Sequence, residues 1–245
     1  MGQTIVTVDA FTDRPFAGNP AAVCVLDAYP DDAAMQALAR EMNLSETAFL
    51  VRRADGDWDL RWFSPTVEVD ICGHATLASA HVLWQDSFVG KGEAVRFHTR
   101  SGVLGAQPDG DWIELDFPAA PANDPLVEVR DVASEDELRA LKPDMAELEA
   151  LEARVVYYTA PGGEGFDYAD RVFGPKVGIP EDPATGSLHT ILAPLFAQKL
   201  GRARVRFLQA YPGRGGDLDC ELAGDRVLLR GQAVTMFDAN LRFAP

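Results

Sequence analysis

The sequence predicts a two-half α/β protein. Three observations carry that expectation: short β-like runs recur along the chain, two helical segments are apolar or small nearly all round, and those segments begin 113 residues apart in a chain of 245. Turn clusters such as "PDGD" and "AGDR" separate several of the runs and favour antiparallel hairpins over a regular parallel alternation of strand and helix. Helices without a polar face are buried on most sides.

The first half, residues 1–118, carries strand-like runs at "TIVTV", "AAVCVL", "TAFLV", "DLRWF", "AVRFHT" and "WIELDF". Among them, "DDAAMQALAREM" sets Met35, Leu38, Ala39 and Met42 at i, i+3, i+4 and i+7 behind an acidic first turn, which predicts a helix covering a sheet with one face. "GHATLASAHVLW" is the first buried helix, and the Pro-rich "DFPAAPANDP" is the expected joint. In the second half, residues 119–245, "SEDELRALKPDMAELEALEA" opens with Ser134 and Glu137 at capping-box spacing and is broken by Pro143. Strand-like runs follow at "RVVYYT", "VRFLQA", "DLDCEL" and "RVLLR", and "GSLHTILAPLFAQKL" is the second buried helix. Laying Gly73 over Gly186 sets Leu77, Ala80 and Val82 on Thr190, Ala193 and Leu195. That partial match fits either an internal repeat or two Ala-rich stretches aligned by coincidence.

With 38 acidic and 22 basic residues the formal charge is -16, and such a field repels phosphate backbones and anionic lipid alike. Nucleic acid and membrane are therefore not the expected partners. The opening "MGQTIVTVDAF" has no basic region leading into an apolar stretch, and no segment approaches the ~20 apolar residues of a membrane span, so a cytoplasmic location is expected. Cys24, Cys72 and Cys220 are odd in number, far apart and outside metal-binding spacings, so neither a disulfide framework nor a metal site is expected.

The chemistry gathers at the buried helices. Their N-termini, at Gly73 and Gly186, would present unpaired N–H groups and a partial positive charge suited to a carboxylate or an enolate-like oxygen. Beside them stand groups that move protons: Asp70, Cys72 and His74 in "VDICGHAT", and Glu181, Asp182, Ser187 and His189 in "GIPEDPATGSLHT". Glu46, opening the apolar "ETAFL", is a further candidate, since burial raises a carboxyl pKa toward the range of general acid/base work. Each residue alone also fits a structural role. Asp182 before Pro183 is an ordinary helix start, His74 a hydrogen-bonded structural histidine, Glu46 a solvated strand end and Cys72 a small buried hydrophobe.

Taken together, "VDAFTDRPFAGNPAAVCVL", "EMNLSETAFL", "RWFSPTVEVDICGHATLASAHVL", "RVFGPKVGIPEDPATGSLHTILAPLF", "QAYPGRGGDL" and "DRVLLRGQAV" resemble, in order, the signature segments of the PhzF-like (phenazine biosynthesis) family. The resemblance covers nearly the whole chain. It implies the diaminopimelate-epimerase-like fold: two pseudo-symmetric halves, each a curled, largely antiparallel sheet around a central buried helix, with the active site in the cleft between them. It also implies a cofactor-independent isomerase whose type reaction converts trans-2,3-dihydro-3-hydroxyanthranilate by moving a proton and shifting a double bond, giving an enol that becomes a ketone. The shuttling carboxylate of the family matches Glu46, its supporting histidine His74, and its aspartate and serine Asp182 and Ser187. Gly73, Gly186, Ser45 and Asn19 fall in the segments expected to bind a small carboxylate-bearing substrate, and a homodimer is implied as well.

Two departures bear on substrate. Epimerase relatives use two cysteine thiols, and although Cys72 precedes the first helix, "EDPATGS" holds no thiol, which disfavours two-cysteine epimerisation of an amino or hydroxy acid. The spacing within "QAYPGRGGDL" differs from the commoner family form and leaves the substrate open, as it leaves open a family member that binds a metabolite or partner without catalysis.

Overall fold

The structure, a computed structural model, describes residues 3–121 and 124–242. It divides into two compact units: Met1–Phe16, Pro20–Asp116 and Arg230–Pro245 form the first, and Ala17–Asn19 with Phe117–Leu229 the second. The expected halves, 1–118 and 119–245, differ from this at the carboxy-terminal end. The last described strand runs antiparallel to the first, with Gln3 opposite Leu241 and Ala10 opposite Ala233, and so returns residues 233–241 to the first unit. Part of the expected joint, residues 122 and 123, lies outside the described residues.

In chain order the first unit contains β1 (Gln3–Ala10), β2 (Asn19–Leu26) apart from its first residue, α1 (Asp32–Met42), β3 (Glu46–Arg52), β4 (Trp58–Phe63), β5 (Glu68–Val69), α2 (Gly73–Gln85), β6 (Val95–Thr99), β7 (Gly102–Asp109) and β8 (Trp112–Pro118) apart from its last two. The second contains β9 (Val127–Asp131), α3 (Glu135–Ala140), α4 (Met145–Ala150), β10 (Val155–Pro161), β11 (Tyr168–Gly174), β12 (Ile179–Asp182), α5 (Gly186–Leu200), β13 (Arg204–Gln209), β14 (Gly216–Ala223) and β15 (Arg226–Gly231). The final strand, β16 (Ala233–Leu241), completes the first unit.

The helices form where their sequences predict. Asp31 caps α1, its side chain accepting the Ala34 N–H at 2.7 Å, and Met35, Leu38 and Ala39 are buried on its inner face. Pro143 falls between α3 and α4, which Ser134 and Asp144 cap. Helix α2 is buried from Gly73 through Ala80, with Val82 and Leu83 beyond, and it packs on β1, β3, β7 and β16.

Pairing follows the connections. Where a helix intervenes the strands are parallel, as in β2–β3, β4–β6, β9–β10 and β11–β13; where a short turn intervenes they are antiparallel, as in β6–β7, β7–β8 and β13–β14. The result is a mixed sheet in each unit, not hairpins alone.

The two units repeat one plan. Strand β4 is antiparallel to β3 and β5 and parallel to β6, and β11 is likewise antiparallel to β10 and β12 and parallel to β13. Registers agree too: Trp58 faces Phe97 as Tyr168 faces Phe207, and Trp62 faces Val69 as Val172 faces Asp182. The faint sequence repeat is a structural one.

Candidate active site

In the first unit, Glu46 opens β3 and His74 is the second residue of α2. Both are buried, Glu46 with 7 % of its surface exposed and His74 with 4 %. The His74 Nε2 lies 3.1 Å from Glu46 Oε2, and the Nδ1 lies 3.6 Å from the Cys72 sulfur. Burial opposes charge on the ring, but Cys72 and Glu46 beside it more than offset this and hold His74 well above its ordinary 6.5. Burial also pushes the Cys72 thiol up to about 11. Cys72 is the N-cap of α2 but its side chain accepts no capping hydrogen bond. Buried Gly73 follows it, and Ser45 precedes β3, half-buried.

These three residues bring one donor atom each within 4.8 Å of one another, near enough to surround a metal ion. Against that use, His74 turns one nitrogen to the thiol and the other to the carboxylate, so neither nitrogen faces both remaining donors. A second such group joins exposed Asp55 to half-buried Asp57 and His98.

In the second unit, Asp182 ends β12 and is 8 % exposed. It does not cap α5, as an isolated reading of the motif allowed; the N-cap is Thr185, whose side chain makes no capping bond either. Instead the Thr185 hydroxyl donates to Asp182 Oδ2, and Asn19 Nδ2 donates to Asp182 Oδ1 at 2.8 Å and to the Ala184 carbonyl at 3.0 Å. Gly186 and Ser187 open α5, the first buried and the second half-buried. Sequence reasoning missed Thr185 as a partner of Asp182, and it missed Gln209, which is fully buried against both. Only the "QA" at the head of a motif marked Gln209 out.

His189 lies deeper in α5, its Nδ1 donating to the Thr185 carbonyl at 2.8 Å and its Nε2 3.3 Å from Asp170. Burial raises the Asp170 carboxyl, with His189 acting against it, and raises the nearby Tyr157 hydroxyl well above 10. Asp70 is exposed and Glu181 is held by Arg171, so neither joins these groups.

An arginine fork braces each helix mouth. Arg61 grips Glu68 through Nε at 2.8 Å and Nη2 at 2.7 Å, and Arg171 grips Glu181 through Nε at 2.7 Å and Nη2 at 2.9 Å. Planar two-point pairs of this kind fix orientation as well as charge.

Comparison with known proteins now gives this geometry a setting. The family model described as "Phenazine biosynthesis-like protein" matches residues 8–125 and 114–239. The chain belongs to the PhzF-like isomerase family. It is 46% identical over 261 residues to an uncharacterized isomerase of Pseudomonas aeruginosa, covering 98% of this chain and 99% of that one. It is 36% identical to the human phenazine biosynthesis-like domain-containing protein, covering 97% and 98%. Among solved structures, a PhzF-family protein of Enterococcus faecalis matches with a TM-score of 0.90 at 34% identity, over 99% of this chain and 100% of that one. A hydroxyproline epimerase of Agrobacterium vitis, at 12% identity and a TM-score of 0.66, shares the fold over 98% and 92%. The PhzF member described here therefore has the diaminopimelate-epimerase-like α+β fold.

Proposed function

We propose that this PhzF-like protein is a cofactor-independent isomerase that moves a proton within a small carboxylate-bearing metabolite, with Glu46 as the acid/base group. The observation that carries the reading is the buried Glu46–His74 pair at 3.1 Å, set at the uncapped start of α2. Glu46 takes a proton from one carbon, the electrons of that C–H bond shift the double bond, and the resulting carboxylic acid returns the proton to a second carbon. Substrate and product are isomers, so no hydride or electron acceptor enters the balance. His74, 3.1 Å away, steadies charge as the proton crosses. In the same proposal Ser187 and the N–H groups at Gly73 and Gly186 hold the substrate's carboxylate, and Asp182 fixes an amino or hydroxyl substituent. Ser45 and Asn19 support that binding surface.

Epimerisation by two thiols is the weaker reading, because the N-cap of α5, which corresponds to Cys72 in α2, is Thr185. The test is turnover of trans-2,3-dihydro-3-hydroxyanthranilate in deuterium oxide, followed by NMR and absorbance. Glu46→Gln should lower the rate on the order of a thousandfold. Deuterium entering a stereocentre with no absorbance change would favour an epimerase. Neither exchange nor turnover, with ligand binding unaffected by Glu46→Gln, would favour a binding protein.

The reading extends to a cytoplasmic homodimer. All three cysteines are free and buried, as a reducing compartment permits, and among the described residues no helix is long and apolar enough to cross a membrane. Light scattering that returned a monomer at high concentration would overturn the dimer.

A further inference from the structure

We infer that Gln209 is a positioning residue for Asp182, acting through the Thr185 hydroxyl. The inference rests on the isomerase reading above, in which Asp182 meets substrate.

Gln209 ends β13, and its backbone is pinned between Asp170 on one side and Gly216 on the other. Its side-chain Oε1 accepts the Thr185 N–H at 2.7 Å, while Nε2 donates to the Asp182 carbonyl at 2.6 Å and to the Thr185 Oγ1 at 3.1 Å. A backbone donor on one end of the amide and a backbone acceptor on the other leave a single orientation for the group. The consequence falls on Thr185. Because its oxygen receives an N–H from Gln209, its own proton is left to point at Asp182 Oδ2. The chain of donation runs Gln209 to Thr185 to Asp182, each bond polarising the next.

The other carboxylate oxygen is held by Asn19, and the loop that follows Gln209 secures that residue in turn. Arg214 donates from Nε to the Gly18 carbonyl at 3.0 Å and from Nη2 to the Ala17 carbonyl at 2.8 Å, and the Gly18 N–H donates to the Gly215 carbonyl at 2.6 Å. Gly215 makes the return possible: its φ is +75°, and a Cβ there would stand 2.6 Å from the Gln209 carbonyl. One loop thus fixes both oxygens of Asp182, one through each end.

The deciding experiment needs no substrate. The carboxyl carbon of Asp182 is followed by 13C NMR against pH, assigned with Asp182→Asn, in wild type, Gln209→Met, Thr185→Val and Thr185→Ser. Asp170, His189 and Tyr157, the other titratable groups packed nearby, are unchanged in all four. Thr185→Val, which loses the donor to the ionised form, should raise the Asp182 midpoint by about one unit, and Gln209→Met, which keeps that hydroxyl but no longer aims it, should raise it in the same direction by less. Thr185→Ser, which keeps the hydroxyl, should follow wild type. If the protein turns over trans-2,3-dihydro-3-hydroxyanthranilate, the same two variants should lose about tenfold or more in kcat with KM little altered. A folded Gln209→Met whose Asp182 titrates as in wild type would overturn the inference. Should that variant not fold, Thr185→Val and Thr185→Ser decide it, and identical titrations in the two would overturn it. Shifted titrations in a protein that turns nothing over would sink the isomerase reading and leave the positioning role standing.

Discussion

The two units have the same frame and use it differently. At the N-cap of the buried helix the first unit has Cys72 and the second Thr185; at the next position but one, the first has His74 and the second Ser187. Opposite the preceding strand, Val69 in the first unit occupies the place of Asp182 in the second. The side chains have therefore diverged at the helix mouths. The bracing behind them has kept its logic. Thr76 donates to the Cys72 carbonyl at 2.5 Å, four residues back, and His189 makes the same backward bond to the Thr185 carbonyl. A glutamate in the arginine fork stands five residues before each helix, Glu68 before Gly73 and Glu181 before Gly186.

That likeness can be broken at the forks, which differ in burial. Arg171 is 4 % exposed, and its Nη1 also donates to the Leu138 and Leu141 carbonyls at the end of α3, whereas Arg61 is partly open and reaches Asp32 in the first turn of α1. Arg171→Ala, leaving Glu181 half-buried without its partner, should cost about 3–5 kcal/mol in urea unfolding. Arg61→Ala should cost about 1 kcal/mol, nearer the value of a surface pair. Equal losses would mean that the two forks do the same work.

The backward bonds sharpen the comparison at a smaller scale. His189→Leu strands the buried Asp170 and should cost about 3 kcal/mol, while Thr76→Val removes one neutral donor and should cost about 1 kcal/mol. Thermal melts of the two variants would reverse the assignment if Thr76→Val proved the worse.

The gentlest difference is in pH. His74 is held above its unfolded value of 6.5, so the stability contributed by its protonated form is complete below that value and is lost as pH rises through the raised one. Urea midpoints of wild type should therefore decline from neutral pH upward more steeply than those of His74→Gln. Parallel declines would show that the pair with Glu46 carries no such linkage.

Much of the frame was legible because it repeats at short range. Ten strand-like runs stand out, as do the five α-helices of the described residues, α1 by its period, α2 and α5 by the lack of a polar face, and α3 and α4 by a cap and by Pro143 between them. Six of the described strands escaped notice, β9 and β16 among them, and the other four lack that signal: β5 has two residues, β12 contains Pro180, β7 mixes Gly102, Gly105 and Pro108 into its run, and β11 buries Asp170 and Arg171 where a core strand ordinarily shows apolar residues. Parallel pairing escaped too, since it depends on which strands flank a helix and not on any one strand. At the site, Glu46, His74, Asp182 and Ser187 were visible as motifs. Their partners were not, because Asn19 reaches Asp182 across 163 residues and Gln209 reaches it across 27, distances over which a sequence has no periodicity to read.

The pairing of β16 with β1 also orders events during synthesis. Residues 233–241 leave the ribosome after every other described strand, so the outer edge of β1 has no partner until then. Nearly all of the second unit, by contrast, is one continuous stretch, Phe117–Leu229, translated before that partner arrives. A nascent chain that had emerged from the ribosome as far as about residue 230 would carry a finished second unit and a first unit with an unpaired strand edge, a form exposed to chaperones and to self-association.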